Sequence, residues 1–163
     1  MTTMRIRTEG HFEAAHFLPF VPKAHKCSGM HGHNYRVEIE VDGDLDPLLG
    51  WVCDFAVLDA YLASFMALLD HKVINEKIEN PTAENIAMWF LGCFAATNRP
   101  VSVVRIWETN KYWAEATSDS LPRNPDHPTT ATTAHGRTIL LRELREPAEP
   151  ADVSTDRTGR DAG

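Results

Sequence analysis

The sequence has few cysteines, no excess of basic residues and no long apolar run. Its 163 residues include three cysteines, Cys27, Cys53 and Cys93, an odd number without framework spacing, so structural disulfides are not expected. Lysine and arginine number 16 against 23 acidic residues, and the formal net charge of −7 argues against a nucleic-acid partner. No stretch could span a bilayer and no charged-then-apolar leader opens the chain, so we expect a cytoplasmic protein with no membrane partner.

The composition divides the chain into two parts. A hydrophobic content of 43% is enough for one domain with its own core, which we place at residues 1–117. From 118 to 163 the sequence is rich in proline, threonine and polar residues, which predicts a mostly disordered extension. Within it, RTILLREL is apolar enough to form a strand or a helical turn docked on the domain. His127 and His135 of the extension are interpreted as solvated side chains and not as ligands.

The stretch Cys27–Tyr35, CSGMHGHNY, places a thiol and two imidazoles just ahead of a strand pattern. From His33 to Asp42 apolar and polar residues alternate, which is typical of a strand with one buried face. His31 and His33 share the parity of the apolar positions, so both point inward if the strand begins early enough. Two imidazoles so placed can hold one metal ion, or they can be a pair of hydrogen-bonded interior histidines.

A third ligand lies upstream, at the end of the first predicted strand. In this strand Ile6 and Phe12 fall on even positions, and His16 shares their parity whereas His11 does not. A hairpin would bring His16 near the two downstream histidines, so we prefer it to His11. Three neutral imidazoles with a vacant fourth position are typical of a zinc ion that acts as a Lewis acid.

The order of elements predicts the fold class. A first strand to about His16 and a second over about 33–42 are followed by a turn, and we expect residues 45–52 to complete a hairpin. Asp54 and Thr82 are candidate N-caps of two amphipathic helices, the first ending near Leu69. Two further strands are predicted at 101–109 and 110–116. This order indicates an α+β domain with an antiparallel four-stranded sheet and both helices on one face.

Three further polar positions need an explanation. Cys27 stands four residues before His31, where a zinc ion would favour its thiolate; without a metal it would be an ordinary loop cysteine. Asp70 and His71 end the first helix, where the helix dipole and the carboxylate favour an imidazolium suited to proton transfer, although a structural role is common. Glu108 has the parity of the apolar residues in its strand, and its carboxylate needs a partner, either the N–H groups of a bound heterocycle or a buried Arg or Lys.

Six short motifs occur in one order: FEAAH, HKCSGMHGHNY, GWVCDF, LDH, NPTAEN and WET. Together they resemble the 6-pyruvoyl-tetrahydropterin synthase family from about Arg5 to Ala116. The three-residue gap between Cys27 and His31 and the FEAAHFLPFVP opening are most similar to the bacterial 6-carboxy-5,6,7,8-tetrahydropterin synthases of queuosine and 7-deazapurine biosynthesis. The segment NKYWAEA after Glu108-Thr109 and the long extension depart from the family pattern.

The resemblance implies a tunnelling fold, or T-fold, whose sheets close into barrels as trimers, two of which stack into a homohexamer with active sites between subunits. It implies a zinc-dependent lyase that converts 7,8-dihydroneopterin triphosphate to 6-carboxy-5,6,7,8-tetrahydropterin, acetaldehyde and triphosphate. It also implies that His16, His31 and His33 are the zinc ligands and that Cys27 is the general base. His71, oriented by Asp70, would be the acid or proton relay. Glu108 would anchor the pterin and join the relay, and Thr82 would be a weaker pterin contact.

Three other functions remain open. Two are sister activities of the same fold, namely formation of the pyruvoyl product and an aldolase-like cleavage of dihydroneopterin. The third is a non-catalytic protein that binds zinc and a pterin. Such a protein would have no need for the proton-transfer groups Cys27, Asp70 and His71, so we favour an enzyme.

Overall fold

Two long strands organise the fold and bring the predicted histidines together. The structure, a computed structural model, describes residues 3–97 and 101–121, and the backbone of two short strands at 130–132 and 138–140. Strands β1 (Thr3–His16) and β2 (His31–Asp44) pair antiparallel along their whole length, so that His16 lies opposite His31. β2 begins two residues earlier than the alternation pattern predicted.

The remaining elements complete the predicted α+β layer. The helices are α1 (Phe55–Met66) and α2 (Ala83–Ala95), and the strands are β3 (Val103–Trp107) and β4 (Trp113–Thr117). The sheet order is β1-β2-β3-β4, with every neighbouring pair antiparallel. Single 3₁₀ turns occur at Lys26–Ser28, Ile74–Glu76 and Ser118–Ser120. The predicted four-stranded sheet with two helices is confirmed.

The core lies between the two helices and one face of the sheet. Phe12 stacks on Tyr35 across the β1–β2 pair with ring centroids 4.9 Å apart, and Phe90 of α2 packs against Phe12. The inward parity predicted for the even positions of β1 is confirmed, since Phe12 and His16 are each only 2% exposed. In contrast, Phe55, the first residue of α1, is 51% exposed.

The segment between β2 and α1 is not the predicted second arm of a hairpin. Residues 45–54 contain no strand and turn instead around Asp46. The Asp46 carboxylate accepts hydrogen bonds from the backbone N–H groups of Leu48 and Leu49, at 2.8 and 2.7 Å. Gly50 has φ of 73°, a left-handed conformation that glycine adopts without strain. These local bonds compete successfully with strand pairing.

The face of the sheet opposite the helices is charged and yet partly buried. Glu38 and Glu40 of β2 are only 4% and 8% exposed, because arginines of neighbouring strands cover them. Glu38 pairs with Arg7 at 3.1 Å and with Arg36 at 3.2 Å, while Arg105 of β3 pairs with Glu40. We call this surface the charged face.

Little of the predicted extension falls within the described residues. Thr138–Leu140 of the RTILLREL stretch is a strand, β6, and pairs antiparallel with β5 (Thr130–Thr132). His127, His135 and most of residues 122–163 lie outside the described part of the chain. Among the helices that the structure does describe, none combines the length and apolar character needed to cross a bilayer.

The N-cap of α2 gives a test of the fold next to the candidate site. The Thr82 hydroxyl accepts a hydrogen bond from the Asn85 N–H at 3.3 Å. We expect Thr82→Ala to lower the free energy of unfolding by about 1 kcal/mol, measured by urea denaturation, because an N-cap side chain is lost. Thr82→Ser keeps the hydroxyl and is the matched control. Equal stability of the two variants would contradict the capping role.

Candidate metal centre

Three histidines converge where the two long strands begin and end. His16 is the last residue of β1, His31 is the first residue of β2, and the two are cross-strand partners. His33 follows on the same face of β2, because side chains two residues apart in a strand share a face. The ligand nitrogens of the three rings all lie within 4.8 Å of one another, and the Nε2 atoms of His16 and His31 are 3.1 Å apart.

Backbone carbonyl groups fix the orientation of two of the three rings. His16 Nδ1 donates to the Pro81 carbonyl at 2.7 Å, and His31 Nδ1 donates to the Gly29 carbonyl at 2.9 Å. Because a carbonyl oxygen can only accept a hydrogen bond, Nδ1 of each of these rings carries a proton. In the neutral ring, Nε2 then has a lone pair that can bind a metal ion. Metal-binding histidines in proteins are oriented in the same way.

Burial keeps the imidazoles of His16 and His33 in the neutral form that binds metals. Burial lowers the pKa of His16 to about 4, and the neighbouring His31 and His33 act in the same direction. The pKa of His33 is also lowered, first by burial and then by His31. At neutral pH neither ring has to lose a proton before it can ligate an ion.

The donor set and its spacing fit a divalent metal ion. Metal–nitrogen bonds of about 2.0–2.1 Å in a tetrahedral site require nitrogens about 3.3 Å apart, close to the Nε2 separation found here. His31 and His33 are only partly buried, so the fourth side of the cluster is accessible. Tyr35 lies beneath it, with its ring 5.4 Å from that of His33, and its fully buried hydroxyl has no hydrogen-bond partner. The predicted ligands are thus brought together, whereas His11 is exposed on the other face.

Glu108 joins the cluster from the third strand. It follows β3 directly, and continuing the register that pairs Arg36 with Trp107 sets it beside Tyr35. Burial, followed by the neighbouring Glu84 carboxylate, raises the pKa of Glu108, while His31 and Lys26 act in the opposite direction. The Glu108 side chain is partly buried, as the parity of its position indicated, and its role in the site stays a prediction. Glu84 and Lys26 were missed, although Glu84 stands in the first turn of a helix whose N-cap the sequence predicted.

Cys27 and Thr82 border the cluster without joining it. Among the described residues, the histidine triad is the only group of three or more potential metal ligands that meets, and Cys27 is outside it. Cys27 is half-buried in the Lys26–Ser28 turn, and its carbonyl accepts from the Leu18 N–H at 2.8 Å. Thr82 follows Pro81, the residue that orients His16, and its hydroxyl is engaged as the helix cap described above.

The Asp70–His71 pair lies on the far side of β1. His71 Nδ1 is 3.0 Å from Asp70 Oδ2, and Asp70 Oδ1 accepts from the backbone N–H of Glu13 at 3.0 Å. The side chain of Glu13 alternates with that of Ala14 and so points away from the face that carries His16. The side chain of His71 is 74% exposed, and its backbone adopts φ of 56°, which is uncommon for a residue other than glycine. The pKa of His71 is raised by the hydrogen bond and charge of Asp70. In one chain the pair thus lies along the free edge of β1, outside the group of three converging histidines.

The fold and the cluster together define a class of protein. An open four-stranded antiparallel sheet, two helices on one face and three converging histidines are the features of a T-fold protein. The solved structure of Caenorhabditis elegans 6-pyruvoyl tetrahydropterin synthase matches with a TM-score of 0.66 and 26% identity, over 72% of this chain and 97% of that one.

Sequence comparison then gives the family. Residues 5–119 match the family model of 6-pyruvoyl tetrahydropterin synthase, and the chain belongs to that family. It is 40% identical over 91 residues to the 6-carboxy-5,6,7,8-tetrahydropterin synthase of Synechocystis sp., covering 52% of this chain and 69% of the relative. It is 32% identical over 115 residues to the dihydroneopterin monophosphate aldolase of Pyrococcus furiosus, covering 68% of this chain and 95% of the relative.

Removal of one imidazole tests the metal centre. We expect purified protein to bind about one divalent ion per chain and His16→Ala to bind almost none, because a closed set of three ligands loses one member. Metal content after gel filtration, measured by mass spectrometry, gives the result. His11→Ala removes an exposed histidine of the same strand and should retain the ion. Equal metal loss in both variants would contradict the assignment.

Proposed function

We propose that the chain is a zinc-dependent carbon–carbon lyase that acts on 7,8-dihydroneopterin triphosphate. The products would be 6-carboxy-5,6,7,8-tetrahydropterin, acetaldehyde and triphosphate, formed in the cytoplasm for queuosine or another 7-deazapurine. The observation that carries the proposal is the cluster of three converging histidines beside the half-buried carboxylate of Glu108. The carboxy-type relative at 40% identity supports the choice of product.

The metal would be held by His16, His31 and His33. Bound there, zinc supplies Lewis-acid polarisation of the substrate's side-chain oxygens, which makes the neighbouring C–H bonds more acidic. Imidazole ligands also suit other divalent ions, so zinc is part of the proposal and is identified by metal analysis.

Glu108 would anchor the pterin ring. A pterin presents adjacent N–H donors, and a carboxylate can accept two hydrogen bonds from such a pair. The site for Glu108 is half-buried, so these hydrogen bonds would form with little competition from water. Thr82 would make a weaker contact with the pterin, through its backbone or through the hydroxyl that caps α2.

Cys27 and His71 would move the protons. The thiolate Sγ of Cys27 would take the proton from the activated carbon, as general base. Asp70 holds His71 through Nδ1, and Nε2, which lies 4.0 Å from Glu13 Oε2, would deliver a proton as acid. The raised pKa of His71 favours the imidazolium form that this role requires.

The separation of His71 from the cluster supports an oligomeric enzyme with shared sites. If Asp70 and His71 take part in catalysis, they act at the metal centre of another copy of the chain. β1 and β4 end the sheet on either side, and sheet edges of this kind can pair with further strands. We propose that strand pairing between copies closes a trimeric barrel, that two trimers stack into a homohexamer, and that each site combines Cys27 of one chain with His71 of its neighbour.

The aldolase reaction is the second candidate. The relative from Pyrococcus furiosus that bears this name is covered over 95% of its length. The segment after Glu108 also differs from the family pattern: Thr109 Oγ1 accepts from the N–H groups of Lys111 and Tyr112, and Tyr112 is 60% exposed. A changed turn beside Glu108, the proposed pterin anchor, would alter which substrate the site accepts. Product analysis distinguishes the lyase reaction from the aldolase reaction. Pyruvoyl product formation and non-catalytic binding would likewise be distinguished there.

Product analysis tests the reaction and its base together. Zinc-loaded protein incubated with 7,8-dihydroneopterin triphosphate should yield 6-carboxy-5,6,7,8-tetrahydropterin and acetaldehyde, resolved by liquid chromatography with mass detection. Cys27→Ala should lose at least about 10²-fold in kcat, the usual effect of removing a general base, with metal content unchanged. Glycolaldehyde in place of acetaldehyde would move the assignment to the aldolase. Full activity of Cys27→Ala would remove the thiol from the mechanism.

Mixed oligomers test the shared site. Cys27→Ala and His71→Ala should each be inactive alone. Unfolded together at equal amounts and refolded, they should recover about a quarter of the unmodified activity, the share of sites that combine both intact residues in a heterologous ring. Each variant refolded by itself is the control. A mixture as inactive as its components would show that both residues must come from one chain.

A further inference from the structure

We propose that His25 is a positioning residue that holds the backbone of Cys27 in place for proton abstraction. The inference rests on the proposed function, since it concerns the base of that reaction. His25 directly precedes the Lys26–Ser28 turn and has an extended backbone, with φ of −73° and ψ of 135°. Its Nδ1 accepts a hydrogen bond from the Cys27 N–H at 3.1 Å.

Both backbone groups of Cys27 are engaged, but by different kinds of partner. Its carbonyl accepts from the N–H of Leu18, a main-chain bond that any residue at 27 could make. Its N–H is held by the imidazole of His25, a side-chain bond that depends on the residue at that position. A single substitution at His25 therefore releases one side of the Cys27 backbone and leaves the other side bound.

The chain leading to His25 is itself fixed by local hydrogen bonds. The His25 N–H donates to the Pro22 carbonyl at 2.8 Å, and its carbonyl accepts from the Ser28 N–H at 2.9 Å. Ser28 Oγ donates to the Lys23 carbonyl at 2.8 Å. The acceptor nitrogen of His25 is thus presented from a bound backbone, which lets it act as an N-cap in the way serine, aspartate or asparagine usually does.

The position of this bond points to catalysis more than to folding. His25 is exposed and caps a single three-residue turn at the surface, so it contributes little to the core. Cys27, in contrast, is the proposed base, and a base must approach its proton within about 3 Å. Misplacement of a reacting group by about 1 Å can cost about 10²-fold in rate. Loss of the His25 bond should therefore lower kcat and leave substrate binding nearly unchanged.

The matched variants are His25→Ala, which removes the acceptor, and His25→Asn, whose Oδ1 takes the position of Nδ1. For His25→Ala we expect kcat to fall about 10- to 100-fold with KM changed less than about twofold, since the loss is one of positioning. His25→Asn should recover most of kcat. His11→Ala, an exposed histidine outside the site, controls for loss of any surface imidazole.

Amide hydrogen exchange at Cys27 gives a readout that does not depend on turnover. On the zinc-loaded oligomer, His25→Ala should accelerate exchange of this N–H by at least about tenfold, because a hydrogen-bonded amide becomes free, and His25→Asn should restore protection. Metal content and circular dichroism of both variants should match the unmodified protein.

The possible outcomes separate this proposal from the proposed function. Faster exchange with an unchanged kcat in His25→Ala would show a purely structural cap and overturn the positioning role alone. Unchanged exchange in His25→Ala would show that the bond does not hold Cys27. Absence of turnover by the unmodified protein would overturn the proposed function and, with it, the positioning role. A parallel loss of kcat and of amide protection, both restored by asparagine, would establish it.

Discussion

The antiparallel register between β1 and β2 is the constraint on which the candidate site depends. It sets His16 opposite His31 and puts both rings, with His33, on the face that carries the core. A shift of one residue would turn one strand's histidines to the other face together with its apolar residues. The register that buries Phe12 against Tyr35 is therefore also the one that assembles the metal cluster, and folding and site formation cannot be separated.

Much of this arrangement could be predicted from the sequence because it follows from periodicity. Alternation in the first two strands assigned His16, His31 and His33 to one face, and the caps Asp54 and Thr82 marked the helix starts. Local competition was harder to foresee: in residues 45–54, hydrogen bonds to the Asp46 side chain prevailed over a second strand. The burial of Glu38 and Glu40 was also hard to foresee. Their positions in the alternating pattern predict solvent exposure, but arginines of adjacent strands cover their side chains.

Other features carry no signal in the side-chain pattern. The carbonyl groups of Pro81 and Gly29 orient the rings of His16 and His31, and a backbone acceptor can be contributed by any residue. The location of Asp70 and His71 depends on the path of the chain after α1, which runs beside β1 and bonds to Glu13. Motif order placed these residues with the cluster in one family pattern, whereas in the single chain they lie along the free edge of β1 and outside the histidine triad.

The hydrogen bond between His16 and the Pro81 carbonyl gives the histidine cluster a mechanical role. Pro81 immediately precedes the cap of α2, so His16 links the first strand to the start of a helix, while His31 and His33 belong to the second strand. An ion bound by the three rings would cross-link the end of β1 to the start of β2, beside the segment that leads into α2. Because such an ion binds only the folded chain, free metal concentration would then set the resistance of the whole domain to unfolding.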